Sequence, residues 1–426
     1  MSESDLLDAH GAEITVARNQ LVDGWHVAMI IVGVTITLPA FLVGASIMSS
    51  VGTRTGLAAI LTGDLIISLV GMAAMYIAVT RRQSTYQILD ASFGPLGSRI
   101  ISFVIALTLL GWFGVTVAFF AEAVAKAFLE LTGIYLPVQL CIVAGCLLMT
   151  STTIYGFRAM DLLSKFTVPL MFVILLGGVV AIASDYSFRD IWFAEPSGAP
   201  AAFGEMVSMV VGALMVGVTI VPDLARFIRR PGQVVTASGG GYGIASSLVL
   251  VLAGLPVLMT GQVSLIDNMF AVGFGIPALV MMIFASWTTN VSNLYSSCLG
   301  LSQAIPAFTG KRLAVVAGTI GGLFALSGIM THLIGFLVFL GIFIPPVAGI
   351  YISQFLVRLP RTVKSVSPVA MLTWGLSAGI SFFLARAQMS LTFVPALDSL
   401  LLAMLFYALI SKATGALLRQ RPDAGF

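Results

Sequence analysis

Residues 286–297 read SWTTNVSNLYSS, inside an otherwise apolar stretch that runs from Phe270 to Leu301. The hydroxyls of Thr288 and Thr289 are hard oxygen ligands, suited to a small hard cation rather than a soft metal. Carbonyls released by a break in a neighbouring helix, around Gly33 for example, would complete such a site. A competing reading has Thr288, Thr289, Asn290, Ser292 and Asn293 bonding to their own or adjacent helices, as polar residues in membrane spans often do. Spacing alone leaves both open. Enzyme chemistry is poorly served: the histidines His10, His26 and His332 are scattered, and no HExxH, GxSxG or CxxC spacing occurs. No repeated polar ring suggests a channel filter, and no appended signalling domain suggests a sensor of transporter shape. The expectation is a transporter, not an enzyme.

The elements that must position these residues are membrane helices. Hydrophobic residues make up 58% of the 426, charged residues only 9%, and mean hydropathy is +1.05. A soluble core needs no such composition, whereas charge at bilayer depth is costly enough to be scarce. A span takes about 20 apolar residues, and twelve stretches qualify: 26–49, 57–80, 100–128, 136–155, 160–183, 204–224, 243–262, 271–300, 313–329, 333–357, 368–385 and 396–417, numbered here as spans 1 to 12. The polar, mildly acidic start is unlike a cleavable signal peptide. Cys141, Cys146 and Cys298 all fall within spans, so no disulfide framework is expected. A net charge of +3 forms no nucleic-acid patch.

Basic residues set the orientation. With the N-terminus cytoplasmic, Arg81, Arg82, Arg99, Arg158, Arg226, Arg229, Arg230, Lys311, Arg312, Arg358, Arg361, Lys364, Lys412, Arg419 and Arg421 fall inside. Only Arg54, Lys126, Arg189 and Arg386 fall outside. The expectation is an integral protein of the inner (plasma) membrane with both termini cytoplasmic, including tails at 1–25 and 418–426. Residues 83–97 suggest a small interfacial helix on the inner side, and Trp25 and Trp192 suit the aromatic belts at span ends.

Span 1 contains GVTITLP (Gly33 to Pro39), and span 6 contains GVTIVP (Gly217 to Pro222). Matched Gly/Pro-interrupted spans in corresponding positions of two halves point to a transporter's central site. Proline removes a donor and crowds the preceding turn, so each span can break near the midplane, and such breaks survive only around a polar cavity. Intramembrane acids are functional candidates by default. Asp64 and Glu122 are the deepest, and either could carry a proton. Glu122 is spaced to pair with Lys126, and Asp161 with Lys165. Asp223 and Arg226 suggest a charge cluster at an inner gate, and Pro345-Pro346 a break in span 10.

Three stretches, GWFGVTVAFFAEAV (Gly111 to Val124), WTTNVSNLYSSCLG (Trp287 to Gly300) and IPPVAGIYI (Ile344 to Ile352), together with PDLARF (Pro222 to Phe227), resemble the cytosine permease branch of the nucleobase:cation symporter-1 family. The resemblance runs from about Val27 to Val357. It implies an all-α LeuT-type fold: two inverted five-helix repeats (26–183 and 204–357), two C-terminal helices (368–417), and discontinuous helices 1 and 6. It also implies sodium held by carbonyls of Gly33, Ile36 and Ala285 and hydroxyls of Thr288 and Thr289. On the same ground Trp112 is a ring-stacking residue, with Thr37, Thr108, Leu109, Leu214, Val216 and Asn290 around the substrate.

Three positions depart from cytosine permeases. Leu109 stands where they have a ring-binding glutamine, Leu214 where they have a second stacking aromatic, and Val216 in place of a serine. Polar complementarity discriminates strongly and apolar fit only modestly, so cytosine itself is in question. The implied function is sodium-coupled import of a nucleobase or related flat nitrogen heterocycle. The alternative is proton-coupled transport of another heterocycle, such as hydroxymethylpyrimidine or hydantoin. The implied partners are this small molecule and the lipid bilayer, with no obligatory protein partner.

Overall fold

The computed structural model describes residues 16–262, 264–305, 310–329, 339–358, 364–387 and 389–419, with side chains as far as 413. His10, His332, Arg361, Arg421, the start of span 10 and most of both expected tails lie outside the described residues. Among the described residues, nine helices are long and apolar enough to cross a membrane. One of them, Leu38–Arg81, turns at Gly52, whose φ of 74° is left-handed, and so supplies both the end of span 1 and all of span 2. With the shorter Val138–Ile154 and Gly310–Leu326, the twelve expected rods are present.

Span 1 is discontinuous. Gly24–Thr35 ends where Ile36 leaves helical geometry (φ −78°, ψ 85°), and Thr37 is extended before the chain resumes at Leu38. Pro39 dictates this: it suits the first turn of a new helix but cannot continue an old one. The Thr37 side chain caps the new helix by accepting from the Ala40 amide at 3.4 Å.

Span 6 runs unbroken over Phe203–Ile220, then resumes for one turn, Pro222–Ala225. Its interruption therefore falls at the end of the span and not near the middle. Pro222 has no N–H for the Val218 carbonyl, which takes the Val221 amide instead at 3.4 Å.

Span 7 begins earlier than its apolar run suggests. Val235–Ala245 is a π-helix that passes into α-helix at Ser246–Thr260. Its glycines Gly239, Gly240 and Gly241 have little α preference, and the wide turn faces spans 1 and 2. Spans 1 and 7 approach closely: a Cβ on Gly44 would lie 2.2 Å from the Leu250 carbonyl oxygen. Span 10 is interrupted at Ile344, immediately before Pro345-Pro346, as proline at a helix start requires. The helix expected within 83–97 is Thr85–Phe93, started by a Ser84/Gln87 capping box. It is mostly buried, not interfacial, because its apolar face is packed beneath spans 3, 8 and 10.

Candidate ion and substrate site

The break in span 1 opens towards span 8. Helix Gly24–Thr35 leaves its last carbonyls without partners in the helix, and Thr288 Oγ1 lies 3.0 Å from the Gly33 carbonyl oxygen. The same hydroxyl lies 3.0 Å from the carbonyls of Phe284 and Ala285. Gly33 permits this approach, since a Cβ there would meet Thr288 Cβ at 3.4 Å and Val168 Cγ2 at 3.2 Å. Thr289 Oγ1 is buried and has no hydrogen-bond partner among the described residues. A buried orphan hydroxyl demands an explanation, and an ion is one. Ile36 and Ala285 belong to one apolar cluster with Val32, Val168 and Met282, which shields these oxygens. The donors brought together are hard and neutral; among the described residues no group of three or more His, Cys, Asp or Glu could bind a metal.

The span 6 break is different. Its freed carbonyls are already taken: Tyr351 donates to Thr219 at 3.0 Å and Thr85 to Ile220 at 3.2 Å. The Gly33 carbonyl of the first break also accepts a hydroxyl, but one from span 8.

Leu109, Trp112, Leu214 and Val216 share the largest apolar cluster, with Met215, Val291 and Trp287. Leu109 is fully buried and Trp112 partly exposed. The Thr108 hydroxyl donates to the Ile105 carbonyl at 2.7 Å, within its own helix, and leaves its lone pairs for another donor. Thr37 is partly exposed at the break. Asn290 keeps its Oδ1 without a hydrogen-bond partner among the described residues. It is 0% exposed, and its amide nitrogen donates to the Phe113 carbonyl at 3.0 Å, beside Met149 Sδ at 3.1 Å, which braces span 8 against spans 3 and 4.

Glu122 does not pair with Lys126, whose ammonium instead lies 4.1 Å from the Phe270 ring centroid. The expected Asp161–Lys165 pair is present at 2.8 Å.

A set of contacts closes the end of the molecule that carries most basic residues. The Val22 amide donates to the Phe227 carbonyl at 2.9 Å, and the Arg229 amide returns to Val22 at 2.8 Å. Arg82 donates to the carbonyls of Arg226 at 2.8 Å, Arg229 at 2.9 Å, and Ile228. Asp23 accepts from Gln233 at 2.9 Å and pairs with Arg229 at 3.3 Å. The Gln233 hydrogen bond, opposed by desolvation and helped by Arg229, holds the Asp23 carboxyl below its ordinary range. His26 Nδ1 lies 2.8 Å from Asp161. Asp223 and Arg226 are both fully buried but form no ion pair: Asp223 accepts from the Thr85 amide at 2.9 Å, and Arg226 donates to the Tyr295 hydroxyl at 2.8 Å.

No family model matches the chain. The cytosine permease of Escherichia coli (strain K12) is 30% identical over 361 residues, covering 82% of this chain and 84% of the relative. The chain belongs to the cytosine permease branch of the nucleobase:cation symporter-1 family. Its fold matches that of Mhp1, a transporter of the same family in a closed conformation with bromovinylhydantoin bound (TM-score 0.80, 22% identity, 97% of this chain and 96% of that one). It also matches a Na+-coupled sialic acid symporter in a substrate-bound outward-open state (TM-score 0.67, 15% identity, 96% and 95% of the two chains). The fold of this family member is thus the LeuT type, an all-α polytopic membrane architecture. Its relatives are permeases and transporters, not enzymes.

Sequence reasoning missed the partners that lie far apart in the chain: His26 with Asp161, Val22 with Ile228, and Asp64 with Ser246 and Ser247. The serine pair at 246–247, in an otherwise apolar run, was the available signal for the last of these.

Proposed function

We propose that this protein is a sodium-coupled importer of a nucleobase or related flat nitrogen heterocycle, working by alternating access between two five-span repeats (26–183 and 204–357). The observation that carries the reading is the convergence of the Gly33 and Ala285 carbonyls on Thr288 Oγ1 next to the unpartnered Thr289 Oγ1. With the Ile36 carbonyl this makes five neutral oxygens, a donor set suited to a hard monovalent cation. An ion there ties the two ends of broken span 1 to span 8, so its occupancy favours one arrangement of the repeats over another. A ligand shifts such an equilibrium only by its difference in affinity for the two states, and the Gly33–Thr288 junction supplies that difference. The Na+-coupled symporter of the same fold supports the ion's identity.

The heterocycle stacks on Trp112, with Leu109, Leu214 and Val216 presenting an apolar wall and Thr37 and Thr108 the nearby hydroxyls. That wall favours a ring with a methyl, alkyl or unsubstituted edge over cytosine's amino-carbonyl edge. The end bearing Arg82, Arg226 and Arg229 faces the cytoplasm, and its contacts among Val22, Asp23, Arg82, Phe227 and Gln233 form the inner gate. The host membrane is the plasma membrane, with both termini inside.

A thermal-shift screen of pyrimidines, purines, hydantoins and thiamine-precursor pyrimidines, each with and without sodium, tests this. A member of one of these classes should stabilise the protein, and sodium should strengthen the effect. Stabilisation by none of them, or equal stabilisation in potassium, would count against it.

A further inference from the structure

Asp64 sits in the middle of span 2, twelve residues from the Gly52 turn and seventeen from Arg81, or about 18 and 25 Å along the helix. Its side chain is 1% exposed. Span 7 covers it with two hydroxyls: Ser246 Oγ at 3.1 Å from Oδ1 and Ser247 Oγ at 2.7 Å from Oδ2. No cation is close. Of the elements packed on span 2, span 7 carries only Tyr242 as a titratable side chain, and the Pro345–Leu356 helix only Tyr351. Span 6 contributes Glu205 and Asp223 at its two ends, and His26 begins span 1. The short helices Phe188–Trp192 and Leu265–Ala271 carry Arg189, Asp190 and Asp267. None of these bonds to Asp64 among the described residues.

Ser247 Oγ also lies 2.7 Å from the Gly243 carbonyl, in the π-helical turn. A hydroxyl has one proton and cannot donate to both acceptors. If Ser247 donates to Gly243, the 2.7 Å contact with Oδ2 is favourable only when the carboxyl is protonated and itself donates to Ser247. If Asp64 is ionised, Ser247 must turn to it, and the Gly243 carbonyl loses this bond. An ionised carboxylate without a cation is also costly at this depth. Ser247 Oγ bridges Oδ2 and the Gly243 carbonyl, so one proton on Asp64 lets all three oxygens be satisfied at once.

We propose that Asp64 is a proton-binding site, and that Ser247 transmits its protonation state to the π-helical turn of span 7. In acid the chain runs from Asp64 through Ser247 to Gly243, and the wide turn is held. Loss of the proton swings the Ser247 hydroxyl towards the carboxylate and frees the turn, which packs against spans 1 and 2. The site is separate from the span 1/span 8 oxygens, so this does not depend on the sodium reading.

The test uses the full chain in lipid and no transport substrate. Infrared difference spectra between acidic and alkaline buffer should show a carboxylic-acid carbonyl band, sensitive to ²H₂O, that disappears in Asp64→Asn. In Ser247→Ala the band should persist but move, because its hydrogen-bond partner is gone; this variant, with ¹³C-aspartate labelling of the wild type, serves if Asp64→Asn does not fold. Hydrogen exchange over 235–247 should match between wild type and Asp64→Asn in acid. In alkali the wild type should exchange at least tenfold faster. A wild type with no titrating aspartate band, a band unchanged in both variants, or an exchange ratio independent of pH would overturn the proposal. So would a band whose pH response follows sodium concentration, which would mark a metal-ion site.

Discussion

Thr288 Oγ1 and the Gly33 carbonyl oxygen, 255 positions apart in sequence, meet at 3.0 Å. The contact ties span 8 to the break in span 1, and the two threonines beside it should respond differently to substitution. Thr289 Oγ1 has no partner among the described residues, so Thr289→Ala should leave thermal stability almost unchanged. It should raise the sodium concentration for half-maximal stimulation about tenfold, the equivalent of about 1.4 kcal/mol. Thr288→Ala should weaken sodium similarly and also cost about 1 kcal/mol of stability, since it removes an existing hydrogen bond. Sodium titrations of substrate binding, run beside melting curves, check both.

Trp112 supplies the stacking face. Loss of base–aromatic stacking costs about 1–3 kcal/mol, so Trp112→Ala should weaken binding of the transported heterocycle roughly tenfold, with Trp112→Phe in between. Equilibrium binding of a labelled ligand to the three proteins reads this, and equal affinities would assign Trp112 to packing alone.

Leu109 lies in the same apolar cluster as Trp112. A ring edge left without a polar partner costs about 1–3 kcal/mol, so cytosine should bind poorly and Leu109→Gln should improve it relative to the native substrate. Competition binding measures the ratio. Tight cytosine binding by the unaltered chain would show that other groups read its polar edge.

Asp161 accepts from both His26 and Lys165 at 2.8 Å. Seven residues on from each side of the His26–Asp161 contact, Gly33 faces Val168. Span 5 and the first helix of span 1 therefore run in register for two turns, roughly 10 Å, from the gate to the ion site. Asp161→Ala removes hydrogen bonds to charged groups worth about 1.5–3 kcal/mol. It should speed labelling, from the basic side, of a cysteine placed at Thr37, which is partly exposed at the span 1 break. Labelling at the wild-type rate would remove Asp161 from the gate.

Asp23 gives the gate a pH dependence of known sign. Its carboxyl is held below the ordinary 3.8 in the folded chain. Its contribution is therefore complete above that value and is lost as pH falls through the lower, folded one. Labelling at the same position, divided at each pH by that of a fully exposed control cysteine because only the thiolate reacts, should be flat near neutrality and rise only below about pH 4. In Gln233→Ala the rise should begin at a higher pH.

The helical architecture was legible because apolar run length decides membrane spans, and Pro39 marked the first break by its own chemistry. Pro222 also marked a break, and the expected bounds 204–224 already put it near the end of span 6, where the structure has it; it was the echo with span 1 that suggested the midplane. The π-helix of span 7 was hidden because the glycines that permit a wide turn also dilute the apolar run. Thr288 and Thr289 stood out as oxygen in an apolar span. Asn290 did so equally: its amide nitrogen is spent on Phe113, while its Oδ1 is buried without a partner among the described residues. Residue type identified these candidates, but which face of the helix each occupies, and what lies opposite, is set by tertiary packing.

The most direct measurement is uptake by the purified chain in liposomes of a panel of labelled nucleobases and hydantoins, with an inward sodium gradient and no pH gradient. The account predicts accumulation of at least one heterocycle above its equilibrium level, collapse of that accumulation when sodium is equal on both sides, and a need for about tenfold more sodium in Thr289→Ala. Uptake that ignores the sodium gradient, or whose sodium requirement is unchanged in Thr289→Ala, would contradict it.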